Sequence, residues 1–67
     1  MPNLTLTERE HDVMNLLIHG KSNNEISEIL IITPHTVKAH LDSIYKKLEV
    51  HNRVQATIAY IQYYSEF

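Results

Sequence analysis

The sequence predicts an all-α domain of four short helices in a helix-turn-helix arrangement, with one domain over residues 1–67 and its core at about 4–64. Three stretches begin with Thr, Ser or Asn followed three residues later by Glu or Gln, which is a helix-start pattern. A fourth start is marked by Thr33-Pro34. After each start, apolar residues recur at spacings of three and four, as in amphipathic helices.

The first helix is predicted to begin after Thr7 and to end before Gly20. Thr7 and Glu10 form a capping box, in which the threonine oxygen accepts from the backbone N–H of residue 10 and the glutamate reaches back to the N–H of residue 7. Gly20 is the only glycine and is expected to close the helix in the left-handed conformation. The expected buried residues are Val13, Leu16 and Leu17, with Met14 and Ile18 beside them.

The second helix is predicted to be about two turns long. Ser22 and Glu25 repeat the capping box. Its buried stripe is expected to contain Ile26, Ile29 and Leu30. A connection over residues 30–33 then leads directly into the third helix, and two helices joined by such a short turn define the helix-turn-helix plan.

The third helix, at about 33–48, has a narrow buried stripe and a polar outer face. The stripe consists of Val37, Leu41, Ile44 and Leu48. Opposite it lie His35, Ala39, Asp42, Ser43 and Lys46, with Lys38 and Tyr45 along one shoulder and Thr36, His40 and Lys47 along the other. Small groups flanked by cations suit a DNA major groove, although an ordinary solvated helix shows the same pattern.

The fourth helix, at about 52–64, starts with an amide version of the capping box formed by Asn52 and Gln55. It carries two apolar stripes. Val54, Ile58 and Ile61 are expected to close the core. The second stripe, expected to form a homodimer interface, consists of Ala56, Ala59, Tyr60 and Tyr63. The alternative is that the tyrosines cover the edge of the core and keep their hydroxyls in water.

Charge and composition narrow the function classes. The net charge is −2, but residues 1–30 hold two basic and five acidic side chains, whereas residues 31–53 hold four basic and two acidic ones. The positive charge therefore gathers at the third helix. No apolar run is long enough to span a membrane and no signal pattern opens the chain, so a cytoplasmic location is expected.

No catalytic residue, metal site or cofactor is predicted. The chain has no cysteine, which excludes a disulfide and a thiolate metal site. Five histidines raise the possibility of a metal site or an enzyme, but His11 and His19, like His35 and His40, do not have the i,i+4 spacing of paired ligands on one helix.

Five sequence blocks resemble, in order and spacing, the LuxR/FixJ/NarL/GerE family of bacterial helix-turn-helix domains. They are Leu6-Thr-Glu-Arg-Glu10, Gly20-Lys-Ser-Asn-Asn-Glu-Ile26, Thr36-Val-Lys-Ala-His40, Lys47-Leu48 and Asn52-Arg53. The resemblance implies double-stranded DNA as the partner of the third helix and a homodimer formed by the fourth. It also implies a transcriptional regulator of the response-regulator or quorum-sensing type, with RNA polymerase and an N-terminal receiver or ligand-binding domain outside this chain as further partners.

Pattern and resemblance together give the residues expected at DNA. These are Lys21, Thr33, His35, Thr36, Lys38, Ala39, His40, Asp42, Ser43, Lys46, Lys47 and Arg53. The lysines at 38, 46 and 47 are expected at phosphates, and Thr36 and His40 are expected to fix the register. For Arg53, an ion pair that holds the fold is the alternative to a phosphate contact.

Two positions depart from the family pattern. Glu49 stands where the family usually has a glycine, so a left-handed glutamate or a different cap must end the third helix. Asp42 places a carboxylate in the outer face, where phosphates repel it but cytosine N4 can donate to it. With the net charge of −2, Asp42 also supports the alternative function, a protein-interaction module that no longer binds DNA.

Overall fold

A computed structural model describes residues 4–64, which form four helices and, within that range, no strand. Helix α1 spans Glu8–Ile18, α2 spans Asn23–Leu30, α3 spans Pro34–Leu48 and α4 spans Arg53–Tyr64. The predicted all-α class and the four helix starts are confirmed. The predicted domain limits at the two ends of the chain lie outside the described residues.

Both Glu-containing capping boxes form as predicted. Thr7 Oγ1 accepts from the Glu10 N–H at 3.1 Å, and Glu10 Oε1 accepts from the Thr7 N–H at 2.8 Å. At the second start, Ser22 Oγ accepts from the Glu25 N–H at 3.2 Å, and Glu25 Oε1 accepts from the Ser22 N–H at 2.9 Å. Each box satisfies two backbone donors that an uncapped chain would leave to water.

The other two helices start differently: α3 has a single side-chain cap, and α4 has an amide capping box shifted by one residue. Thr33 Oγ1 accepts from the Thr36 N–H at 3.1 Å, ahead of a proline in the first turn. At α4, Asn52 Oδ1 accepts from the Gln55 N–H at 2.9 Å, but Gln55 Oε1 accepts from the N–H of His51 at 2.8 Å. The amide box is therefore shifted, because the return bond reaches one residue beyond the cap.

The end of α1 is closed by Gly20 in a left-handed conformation with φ of 83°. The Gly20 N–H donates to the Leu17 carbonyl at 3.0 Å, and the Lys21 N–H donates to the Leu16 carbonyl at 3.2 Å. This pair of bonds is the Schellman motif. It confirms the predicted role of Gly20 and brings Lys21 close to the end of α1.

Two helix ends adopt the left-handed conformation without glycine. Ile31, in the turn between α2 and α3, has φ of 57° and ψ of 49°. Glu49, after α3, has φ of 57° and ψ of 46°, as one of the two predicted outcomes for this position. A side chain in this conformation costs roughly 1–2 kcal/mol, and the cost is highest for a β-branched residue such as isoleucine.

The four helices enclose one core, in which α1 and α3 each pack against the three other helices. Every residue of the predicted α3 stripe is buried. The buried apolar residues are Leu6, Val13, Met14, Leu17, Ile26, Val37, Leu41, Ile44, Leu48, Ala56, Ala59 and Tyr60. Ile29 was expected in this core but is 51% exposed on α2. No helix within residues 4–64 is long and apolar enough to cross a bilayer.

The predicted assignment of the two faces of α4 is wrong. Val54 and Ile58, expected in the core, are 68% and 61% exposed, whereas Ala56, Ala59 and Tyr60, expected at a dimer interface, are buried. Small alanine side chains let α4 approach its neighbours closely, and the Tyr60 hydroxyl finds hydrogen-bond partners on α1. Tyr63 is 41% exposed. The larger aliphatic residues are therefore left outside.

Replacing Ile31 should stabilise the domain. Ile31→Asn keeps the turn but substitutes a residue that tolerates left-handed geometry, and little packing is lost because Ile31 is 89% exposed. We expect a gain of about 1 kcal/mol in the free energy of unfolding, measured by urea denaturation at an unchanged m-value. The control is Ile29→Asn, an exposed isoleucine with helical geometry, which should not stabilise. An equal midpoint for Ile31→Asn and wild type would contradict this account of the turn.

Candidate nucleic-acid interface

One side of α3 is open to solvent along its whole length, about 22 Å for its 15 residues. The outer face of α3 is defined by five exposed residues, His35, Lys38, Ala39, Asp42 and Lys46. Within residues 4–64, no hydrogen bond or ion pair engages their side chains. The outer face is thus free to bind, while the opposite stripe anchors the helix in the core.

The shoulder of α3 near its start carries threonine hydroxyls. Thr33 Oγ1 lies 2.9 Å from Thr36 Oγ1, in addition to capping the backbone. Thr36 and His40 are half-buried and lie one turn apart on this side of the helix. The structure therefore groups Thr33, Thr36 and His40 beside the outer face.

Lys47, a residue expected at phosphate, is half-buried and forms an ion pair within the chain. Its Nζ donates to Glu10 Oε1 at 2.7 Å, and Glu10 is only 3% exposed. The same carboxylate accepts from the Thr7 N–H at 2.8 Å, and the Ser43 side chain helps to lower its pKa. The Glu10 network, defined here as Glu10 with Thr7 and Lys47, therefore joins the start of α1 to the second half of α3. A phosphate contact by Lys47 stays a prediction.

The hydrogen bonds of this network control the ionisation of Glu10. Burial raises the pKa of the Glu10 carboxyl, but hydrogen bonds from Lys47, Thr7 and Ser43, with the positive charge of Lys47, outweigh it and lower the pKa from 4.5 to about 2. The carboxylate is therefore charged at neutral pH. A buried carboxylate is costly unless an opposite charge pairs with it, and Lys47 supplies that charge.

Arg53 at the start of α4 is also occupied within the chain. Its guanidinium donates to the backbone carbonyl of Lys21 and, through Nη1, to Asn23 Oδ1 at 3.3 Å. Both acceptors are neutral, so these bonds differ from the ion pair considered for Arg53. They tie the loop between α1 and α2, with Lys21 in it, to α4.

These bonds reduce the number of cationic side chains that are free to reach a phosphate. Of the four cations in residues 31–53, Lys47 and Arg53 have partners within the chain. Lys38 and Lys46 remain on the outer face of α3, and Lys21 is half-buried in the adjacent loop. Any polyanion bound here meets a small number of lysines among neutral groups and one carboxylate.

The histidine on α1 and the histidine just after it have structural partners. His11 Nδ1 lies 2.9 Å from the Tyr60 hydroxyl, and its ring meets the Tyr64 ring edge-on with centroids 4.9 Å apart. His19 Nδ1 is hydrogen-bonded to the Asn15 carbonyl at 2.6 Å. In the described part of the chain, no three potential metal ligands cluster. The tyrosine hydroxyl of the predicted dimer stripe is thus used to hold α4 on α1.

Sequence reasoning missed the exposed side of α4. The outer face of α4 consists of Val54, Ile58 and Ile61, two of them exposed and the third half-buried. The available signal was the contrast between two stripes, one of β-branched residues and one of alanine and tyrosine. The stripe of β-branched residues was predicted to face the core, but the stripe of alanine and tyrosine is buried instead. Alanine side chains are small and let neighbouring helices approach closely.

A family model for bacterial regulatory proteins of the luxR family matches residues 4–60, which is most of the chain. The chain belongs to the luxR family. This membership confirms the resemblance and supports sequence-specific DNA binding by a bacterial transcriptional regulator. The family is one of regulators rather than enzymes.

Relatives agree with this membership in sequence and structure. The nitrate/nitrite response regulator protein NarP of Escherichia coli is 46% identical over 61 residues, which cover 91% of this chain and 28% of NarP. The response regulator ChrA of a heme-sensing two-component system is 40% identical with a TM-score of 0.85, over 92% of this chain and 31% of ChrA. The Vibrio cholerae LuxR-type receptor VqmA is 27% identical with a TM-score of 0.86, over 90% of this chain and 27% of VqmA.

The luxR-family domain described here spans about three-tenths of the length of these relatives. The comparisons therefore concern one module of larger regulators. Within this module, the family's helix-turn-helix consists of α2, the turn at Ile31 and α3.

The Glu10 network should make the free energy of unfolding depend on pH in the acidic range. Because the Glu10 pKa is lower in the folded than in the unfolded chain, its stabilisation is complete above the unfolded pKa and is lost as pH falls toward about 2. Glu10→Gln should therefore cost on the order of 2 kcal/mol at pH 6 and progressively less from pH 5 to pH 2. Urea denaturation across this range measures the difference.

The control for this test is Glu8→Gln, an exposed carboxylate in the same first turn of α1. Its cost should be small at every pH, since an exposed charge near a helix start is worth only tenths of a kcal/mol, roughly, at moderate salt. A cost of Glu10→Gln that stays constant from pH 6 to pH 2 would show that the carboxylate charge is not what stabilises the fold.

Proposed function

We propose that this luxR-family domain binds double-stranded DNA sequence-specifically, with α3 lying in the major groove. The observation that carries the proposal is the outer face of α3, a row of unengaged polar and small side chains on a helix held by its opposite stripe. A major groove about 12 Å wide accepts a single helix. The short Ala39 side chain lets the backbone approach the base edges.

Backbone phosphates are proposed to be held from both sides of this helix. Lys38 and Lys46 on the outer face and Lys21 in the loop before α2 supply the positive charge. Thr33, Thr36 and His40 supply neutral donors at the near shoulder. Arg53 contributes by fixing the loop that contains Lys21. His35, Ala39, Asp42 and Ser43 are the residues proposed to face bases.

We further propose a homodimer that pairs through the outer face of α4. Val54 and Ile58 expose large β-branched side chains, which single soluble domains tend to cover in assemblies. The domain measures 31 × 24 × 20 Å along its principal axes. Two copies can therefore occupy major grooves one helical turn, about 34 Å, apart without overlap. The VqmA structure is described as that of a dimer in the absence of its target DNA.

The regulatory setting is proposed by analogy with the relatives, of which this domain is one module. NarP and ChrA are response regulators, which suggests a two-component system and a preceding receiver domain as the source of the signal. A ligand-binding domain would serve in a receptor such as VqmA. The bacterial chromosome places the DNA target in the cytoplasm, where RNA polymerase is a further proposed partner.

A second candidate is a protein-interaction module that has lost DNA binding. It is favoured by the net charge of −2, by the carboxylate of Asp42 and by the bonds that occupy Lys47 and Arg53. The salt dependence of binding distinguishes the two candidate functions. Binding to DNA weakens steeply as salt rises, because bound lysines release counterions, whereas apolar docking through the outer face of α4 does not.

Lys38→Ala should weaken DNA binding and flatten its salt dependence. If Lys21, Lys38 and Lys46 each neutralise one phosphate in both copies of a dimer, the slope of log K against log salt is about −5, and the variant reduces its magnitude by about 2. Fluorescence anisotropy on a duplex enriched from a random library measures both quantities. Arg9→Ala is the matched control, since Arg9 carries the same charge on α1, in an exposed pair with Asp12. Equal slopes for Lys38→Ala and wild type would remove Lys38 from the interface.

Ile58→Glu should abolish pairing while leaving the fold intact. A charge on the outer face of α4 cannot be buried against a second copy, yet it remains in water in the monomer. Sedimentation equilibrium should show a monomer with unchanged helicity, and binding to a two-half-site duplex should weaken to that of a single half-site. Ile29→Glu changes another exposed isoleucine, on α2, and should leave association unchanged. Dimerisation that survives Ile58→Glu would locate the interface elsewhere.

A further inference from the structure

Asp42 is an exposed carboxylate at the middle of the outer face of α3. It follows Lys38 by four residues and precedes Lys46 by four, so each lysine lies about 6 Å away along the helix axis. Within residues 4–64, neither lysine forms an ion pair with it and no donor hydrogen-bonds to it. The carboxylate therefore lies between two lysines but forms no direct ion pair with either, on the surface proposed to enter the groove.

The chemistry of the groove limits what this carboxylate can bind. Phosphates repel it, and so do the acceptor atoms of guanine and thymine. Amino donors face the major groove from cytosine N4 and adenine N6, but adenine places its acceptor N7 beside N6. Cytosine N4 is therefore the base group whose surroundings best suit an ionised carboxylate.

The surroundings of Asp42 on α3 permit such a contact. An aspartate side chain is short, so its oxygens reach a base only if the helix backbone lies close to the groove floor. Ala39, one turn earlier on the same face, is exposed and has only a methyl group. The buried Leu41 beside Asp42 fixes this part of the helix against the core.

We infer that Asp42 is a specificity-determining residue that selects cytosine at one position of each half-site, by accepting a hydrogen bond from the N4 amino group. The inference rests on the proposed DNA binding and adds the base pair that one named residue reads. The carboxylate thereby favours duplexes with cytosine at this position and lowers the affinity for all other duplexes. In those duplexes it faces hydrogen-bond acceptors or phosphates.

The test compares wild type, Asp42→Asn and Asp42→Ala in binding-site selection from a random duplex library. The selected duplex and its three single-base-pair variants at the assigned position are then titrated with each protein. Wild type should prefer cytosine by about tenfold. Asp42→Asn should move the preference to adenine, because an amide both donates to N7 and accepts from N6. Asp42→Ala should lose the preference at that position and bind scrambled duplexes more tightly.

Glu28→Gln is the matched control, because it removes the same charge from an exposed site on α2. It should leave the selected sequence unchanged. If wild type selects a motif and Asp42→Ala selects the same bases at every position while gaining equal affinity for all duplexes, Asp42 only repels phosphate and the inference is overturned, although the proposed function stands. If wild type enriches no sequence, both the proposed function and the inference fail.

Discussion

The buried carboxylate of Glu10 is the constraint on which the placement of α3 depends. It caps α1 through the Thr7 N–H and holds Lys47 near the end of α3, so one side chain links a helix start to a distant part of the chain. Removing either charge would strand the other in a largely buried site, which is costlier than losing an exposed pair. The pair therefore adds a direct link between α1 and the second half of α3 to the anchoring that the buried stripe of α3 supplies.

The same constraint explains why a DNA-binding domain can have a net charge of −2. Acidic residues serve the caps of α1 and α2, and two of the cations near α3 serve internal bonds. The remaining lysines give the surface a modest positive potential, so non-specific attraction to DNA is expected to be weak. Discrimination by base contacts then has more weight in the total binding energy than it has in a strongly basic domain.

Local chemistry was predictable from the sequence, and packing between helices was not. The caps at Thr7, Ser22 and Thr33 and the glycine at the end of α1 act within a few residues, so the sequence specifies them directly. The resemblance identified the family. The faces of α4 and the partner of Lys47 depend on which helix lies opposite, over separations such as the 37 residues between Glu10 and Lys47. Periodicity finds a stripe but does not say what covers it.

Helix α4 has an inner side of alanine and tyrosine and an outer side of β-branched residues. Folding constrains the first side far more than the second. Ala56 and Tyr60 are constrained by the interior of their own chain, whereas Val54 and Ile58 touch little of it. The outer residues can therefore diverge between paralogues in one cell at small cost in folding. With the proposed pairing through the outer face of α4, such divergence would keep regulators of the same fold from forming mixed dimers.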